Sequence, residues 1–222
     1  MSLKPTAFID DVAGYKAYIH DDAGLKFSRR TPDGEPAILP ISRQFFCDIP
    51  APAADNMRPV WGVADFSFVL WFEDTGANIN PGSGFRDYFM VGFGNRRDTA
   101  APVWGVSSGT QTTLDVFLGD VGLRTPEIVE GWHMIVGTVN SSAGLGVAEA
   151  RLYYDGALTS GPTVVPTTQT PGPSSKFTIG ARNELGGTQQ KTLIGCNFGP
   201  VSIFDRVLTL EEVQGLYGAM TT

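Results

Sequence analysis

Two carboxylates held about 5–5.5 Å apart on one strand face would let a chain hydrolyse a glycosidic bond with retention. Residues two apart on a strand share a face, so the sequence mark of such a site is Glu-x-Asp-x-Glu or a near variant. No strand-like segment carries one. Glu211 and Glu212 are neighbours on a helix-like stretch, while Asp10 with Asp11 and Asp21 with Asp22 are adjacent pairs whose side chains diverge. His20 and His133 are the only histidines. A Ser-His-Asp set needs a histidine held by a carboxylate and touching a nucleophile, and His133, following Trp132 on a strand-like run, reads instead as a packed or edge histidine. His/Cys zinc spacing is absent, and no phosphate-binding glycine motif opens a helix. Cys47 and Cys196 leave two readings open: a pair of buried thiols, or one bond tying the N-terminal region to the last strands. The bond requires Cα atoms within about 7 Å. No residue is expected to be catalytic, and the chain is expected not to be an enzyme.

The elements that would position such residues are mostly strands. The 222 residues include 27 Gly, 15 Pro and 14 Phe, with 18% charged and 42% hydrophobic residues. Turn-formers plus a strand-favouring aromatic point to β structure with a buried core, and the length suits one large sandwich. Formal charge is −7, from 16 Lys and Arg against 23 Asp and Glu. Arg29 with Arg30 and Arg96 with Arg97 are isolated pairs, so the clustered cations that nucleic acid demands are missing. The start, MSLKPTAFIDDVAG, has no apolar core of a secretory signal, and no apolar run reaches the ~20 residues of a membrane helix. Synthesis in the cytoplasm is expected, followed by use there, assembly into a particle or release by lysis.

Along the chain, residues 1–60 hold short strand-like pieces and a Pro-rich loop, IPAPAADNMRP. They read as N-terminal strands or an arm belonging to the same domain as residues 61–222. FSFVLWF (66–72) is a dense apolar run that predicts a buried central strand. EDTGANINPGSG (73–84) reads as a long loop. DYFMVGFG, VWGVSS, TLDVFLG and WHMIVGTVN read as strands, with SSAGLG as a turn. EARLYYDGALTSG predicts a hairpin on an Asp-Gly turn. The stretch 162–175 reads as an extended edge strand or a long loop, KFTIGAR as a strand, NELGGTQQ (183–190) as a loop, and TLIGCNFGPVSIFD as the last strands. Thr209 and Glu212 form a capping box before a helix that would bury Leu210, Val213, Leu216 and Tyr217 and close at Gly218.

The order FSFVLWF, WHMIVGTVN, ARLYYDGALTSG, FTIGA and VSIFDRVLTLEEVQGLY resembles the laminin-G-like, concanavalin-A-like (pentraxin-like) lectin domains over roughly residues 60–220. The resemblance implies an all-β, two-sheet antiparallel jelly-roll sandwich with one short C-terminal helix. The pattern of short strands with frequent turn signals agrees with a sandwich, in which Trp132, Tyr153, Phe177 and Phe204 are expected on inward faces and Asp205 and Arg206 at the corner before the helix. Relatives commonly bind Ca²⁺ at one rim through oxygen-rich loops, which suits a hard cation. Candidates here are Asn78, Asn80 and Asp87, and a second group at Asn183 and Glu184. Gly199 and Pro200 stand where the family often has acidic residues, which counts against the cation, and no other cofactor is implied.

For a ligand, Trp104 and Trp61 lie next to loops and are candidate platforms, while Trp71 and Trp132 read as core. Arg96, Arg97 and Asp98 form a charged loop tip, and loops 73–86, 95–102 and 183–190 would supply contacts. The function implied is a non-catalytic recognition or adhesion module for a glycan or protein ligand. An alternative is a structural or decoration protein of a phage virion, docked to capsid or tail proteins by the N-terminal segment and residues 162–175, with an oligomer as one form of that role. A glycoside hydrolase is the third reading. Neither nucleic acid nor membrane insertion is expected.

Overall fold

The computed structural model describes residues 7–9, 16–20, 26–32, 34, 36–39, 46–49, 65–75, 89–93, 104–108, 113–118, 121–144, 147–166, 177–179, 181–184, 187–190 and 196–221. Strands are numbered in chain order. One antiparallel sheet runs in the spatial order β1 (Ala7–Ile9), β2 (Lys16–His20), β5 (Phe46–Ile49), β14 (Phe177–Ile179), β7 (Phe89–Phe93), β8 (Trp104–Ser108), β9 (Leu114–Leu118) and β10 (Val121–Arg124). The other runs β13 (Ala157–Pro166), β12 (Val147–Tyr154), β11 (Gly131–Gly144), β6 (Phe66–Asp74), β17 (Cys196–Phe204), β4 (Pro36–Leu39) and β3 (Lys26–Arg30). A hairpin of β15 (Ala181–Glu184) and β16 (Gly187–Gln190) stands apart, and helix α1 (Leu210–Thr221) ends the described chain. The result is a two-sheet antiparallel jelly-roll sandwich. Among the described residues no helix is long and apolar enough to cross a membrane.

The position of β6 explains its composition. It lies between β11 and β17, and both of its faces are covered, so an apolar residue is wanted at nearly every step. Phe66, Phe68, Leu70 and Phe72 enter the core between the sheets. Val69 and Trp71 point the other way, into a second cluster with Met134, Val136, Tyr153 and Val213 of α1. Burying each large side chain contributes about 1.5–3 kcal/mol. Trp132, Tyr153 and Phe204 belong to this second cluster, beneath the helix, and not to the core between the sheets. The strand period sends neighbouring residues to opposite faces, and a helix laid on one face turns an outward position into a buried one. The side chain of Phe177 lies outside the described residues.

The capping box is present: Thr209 N–H donates to the Glu212 carboxylate at 2.8 Å and Glu212 N–H to Thr209 Oγ1 at 3.2 Å. Arg206 pairs with Glu212 at 2.7 Å, and that bond with the Thr209 N–H holds the Glu212 carboxyl down at about 2. Ser67 Oγ donates to the Arg206 carbonyl at 2.8 Å and accepts the Leu208 N–H at 2.9 Å, fixing the corner to β6. Two expectations for this helix resolve differently, and Cys196 fits the buried-thiol reading. Leu210 is 48% exposed, because the first residue past the cap turns away from the sheet. Gly218 lies inside the helix, which continues to Thr221. Cys196 is a free, buried thiol in β17, while Cys47 belongs to β5 of the other sheet.

Several boundaries also move. β6 extends through Glu73 and Asp74, β11 runs on to Gly144, and β10 adds a strand that the sequence did not announce. Residues 183–184 and 187–190, expected as part of a loop, lie in the strands of the β15/β16 hairpin. β13 continues to Pro166 as the edge of its sheet.

Candidate functional site

Buried polar groups collect at one end of the seven-stranded sheet, where β6 and β12 finish and β11 and β17 begin. The register sets Glu73 opposite both Asn197 and Trp132, and Asp74 opposite Cys196. Because Trp132 packs in the cluster under the helix and Cys196 in the core between the sheets, Glu73 and Asp74 look to opposite faces. Asn197 Nδ2 donates to the Glu73 carboxylate within the buried interior. Its Oδ1 is buried without a hydrogen-bond partner. Gly199, two residues on, leaves room for Trp71 and Trp132: a Cβ there would stand 2.9 Å from Trp71 Cβ and 3.1 Å from the Trp132 ring.

On the inner face, His133 lies between the rings of Phe72 and Tyr154, at 5.5 and 5.1 Å between centroids. Its Nδ1 meets Asp155 Oδ2 and its Nε2 meets the Val129 carbonyl, both at 2.8 Å. Asp155 Oδ1 accepts the Met134 N–H at 2.8 Å. Asp155 has φ 50 and Gly156 φ 78, the left-handed pair that an Asp-Gly hairpin turn supplies. Burial works against a charged His133, but the Asp155 hydrogen bond, the Val129 carbonyl and the charges of Asp155 and Asp74 outweigh it and raise its pKa. Burial, followed by the charges of Asp155 and Asp74, pushes the Tyr154 phenol far up, and its Oη is buried without a partner. Burial, with Asp74 and Glu73 nearby, likewise pushes the Cys196 thiol far up. It is therefore a poor nucleophile, since the thiolate is the reactive form.

Of the candidates read from sequence, Trp104 alone has a described side chain. Trp104 is 1% exposed and stacks on Phe68 with ring centroids 4.6 Å apart. It is a core residue and offers a ligand no face, because as the first residue of β8 it turns its ring between the sheets. Asn183 and Glu184 pair through their backbones with Thr188 and Gly187; their side chains lie outside the described residues. Arg96, Arg97, Asp98, Asn78, Asn80, Asp87 and Trp61 also lie outside them. Asp74 and Phe89, which flank residues 75–88, stand at the end of the sandwich where β11 begins, whereas Phe93 and Trp104, which flank 94–103, stand at the other. Among the described residues no three His, Cys, Asp or Glu side chains gather as metal ligands; the side chains named as calcium candidates lie outside those residues. No described strand carries two carboxylates on one face.

Sequence reasoning missed Glu73, Asn197, Tyr154 and Asp155 as a group. Glu73 meets Asn197 across 124 positions and His133 meets Asp155 across 22. The one signal available was local: the Asp-Gly turn one strand after a buried histidine.

A family model described as the concanavalin A-like lectin/glucanases superfamily matches residues 53–214. No curated protein matches the chain. Among solved structures, the receptor binding domain of botulinum neurotoxin C/D mosaic serotype is similar at TM-score 0.63 and 12% identity, covering 94% of this chain and 48% of that one. The binding domain of Paraclostridial Mosquitocidal Protein 1 is similar at TM-score 0.62 and 15% identity, covering 96% and 51%. Trypanosoma rangeli sialidase in complex with 2,3-difluoro-KDN is similar at TM-score 0.63 and 15% identity, covering 97% and 31%. The chain thus spans about half the length of the toxin domains and about a third of the sialidase. At these identities the likeness is one of fold.

Proposed function

Because this chain belongs to the concanavalin A-like lectin/glucanase superfamily, we propose that it is a non-catalytic recognition module whose ligand, a glycan or a protein, docks at the end of the sandwich where β6 finishes and β11 begins. The observation that carries this reading is the floor of that end. Several of its polar groups pair with one another: Glu73 with Asn197, and His133 with Asp155 and Val129. A floor locked in this way can hold the connections above it in a fixed shape, which is what recognition at loops requires. Among the described residues no single strand carries, on one face, the pair of carboxylates that sugar hydrolysis needs. Neighbours named as receptor-binding and binding domains support a binding role. The sialidase neighbour matches over 31% of its length, so its activity is not carried over. The capsid or tail role gains no support from these neighbours.

The test is a glycan array with the whole chain, followed by titration calorimetry on the best hit. Saturable binding is expected without release of reducing sugar. Val129, 64% exposed beside His133, marks the proposed end, and Val164, 60% exposed on the β13 edge, marks a distant surface. Val129→Arg should weaken binding by about tenfold or more, roughly 1.4 kcal/mol, and Val164→Arg should leave it unchanged. Turnover of the bound sugar would overturn the non-catalytic reading, and the reverse ranking of the two variants would move the site.

A further inference from the structure

The connection of residues 125–130 carries the chain from β10 in one sheet to β11 in the other. Its start is pinned twice: Thr125 N–H donates to the Leu114 carbonyl and the Leu114 N–H to Thr125 Oγ1, each at 2.9 Å. Its far end meets the Nε2 of the buried His133 at 2.8 Å, through the Val129 carbonyl. Pro126, Glu127, Val129 and Glu130 are exposed, while Ile128 packs part-buried against the core, so the carbonyl of Val129 is held by that one apolar anchor and by His133.

The imidazole itself has two acceptors and no donor around its nitrogens. Asp155 Oδ2 and the Val129 carbonyl both accept, and a neutral imidazole carries only one N–H. Both contacts are good hydrogen bonds only when both nitrogens are protonated. If one proton leaves, the nitrogen facing the carboxylate keeps its hydrogen, because the negative charge holds it. The bare Nε2 then turns its lone pair on a carbonyl oxygen 2.8 Å away. Asp155 cannot be the group that yields. Its Oδ1 accepts the Met134 N–H and its own N–H donates to the Met134 carbonyl. The exposed connection is the side that moves.

We propose that His133 is a proton-keyed latch: as an imidazolium it ties the turn at Asp155 and Gly156 to the connection of residues 125–130, and loss of its Nε2 proton to solvent frees that connection. The titratable and charged groups facing it are Asp155 on the β12/β13 turn, Asp74 at the end of β6 and the Tyr154 phenol on β12, with Glu127 and Glu130 exposed on the connection itself. The first two favour the charged ring. A histidine raised above its ordinary 6.5 contributes stability that is complete below that value and is lost as pH rises through the folded value. The latch therefore opens as the pH rises through a value above the ordinary 6.5.

With only two histidines in the chain, ring ¹H–¹⁵N spectra of the intact protein, assigned with His20→Ala, read the device directly. At pH 6.5 His133 should show protons on both ring nitrogens and should titrate above that pH. Amide exchange at residues 127–130, corrected for base catalysis, should speed up through the same midpoint. Asp155→Asn preserves the turn, since Asn-Gly suits two positive-φ positions, but removes the charge. Its midpoint should fall by about 1 pH unit or more. His133→Gln should abolish the pH step in exchange. A single ring N–H at pH 6.5, exchange that ignores the ring titration, or a midpoint unmoved in Asp155→Asn would each overturn the proposal.

Discussion

Asn197 and Glu73 face each other across β6 and β17 where water cannot screen them. The amide donates to the carboxylate, and that hydrogen bond offsets part of the cost of burying the carboxyl group there. Asn197→Asp replaces the donor with a second carboxylate of the same size. An uncompensated buried charge costs about 3–5 kcal/mol, and a loss of that order in urea unfolding at pH 7 is expected. Part of it should return as the pH falls and one carboxylate takes up a proton, which a mere shape defect would not show. Trp104 makes the opposite kind of point. Its ring is packed against Phe68 and Phe66 between the sheets, so Trp104→Ala should act on stability, by about 3–5 kcal/mol in the same unfolding measurement. A variant that lost ligand binding while unfolding like the native chain would restore Trp104 as a platform.

Helix α1 is fixed at its start by hydrogen bonds and along its length by packing of Leu216, Tyr217 and Met220 on the cluster beneath it. Thr209, Glu212, Arg206 and Ser67 lock the first turn, and Val213 is its one fully buried residue. Gly215 and Gly218 then sit in the helix interior, where a Cβ would meet nothing within 4 Å. Nothing in the packing calls for glycine at either place. Gly215→Ala and Gly218→Ala should each stabilise the protein by up to about 1 kcal/mol, by removing chain entropy from the unfolded state, read as a rise in the thermal midpoint. The cap was legible in the sequence because it is a local device spanning four residues. β6 was legible because a strand covered on both faces must be apolar throughout. The end of β6 was not: Glu73 and Asp74 look like loop residues until β11 and β17 are seen to pair with their backbones. The β15/β16 hairpin was hidden in the same way, since polar residues with a Gly pair satisfy a loop as well as a two-stranded ladder. The candidate site was the least legible part, because its hydrogen bonds join strands that only the topology brings together.

At the scale of the molecule, the first fifty residues are distributed between the two sheets. β1, β2 and β5 extend one sheet outward from β14, and β3 and β4 extend the other outward from β17. Ile179 of β14 registers with Cys47, and Phe198 of β17 with Ile38. Removing residues 1–60 would therefore bare the backbone of β14 along one edge and of β17 along the other, on opposite sheets of the same sandwich. An uncovered strand edge is a template for another chain. β17 would be the worse of the two, because its start is buried and apolar at Cys196 and Phe198. The truncated chain of residues 61–222 is expected to form soluble aggregates in light scattering and to unfold without a cooperative thermal transition, while the full chain gives a single mass and one sharp transition. A monomeric fragment that melts cooperatively would place a domain boundary near residue 60 and make the N-terminal strands an addition to a self-sufficient sandwich. In that case the edges of β14 and β17 would have to be protected by other means, and amide exchange at Thr178 and Phe198 in the fragment would show whether they are.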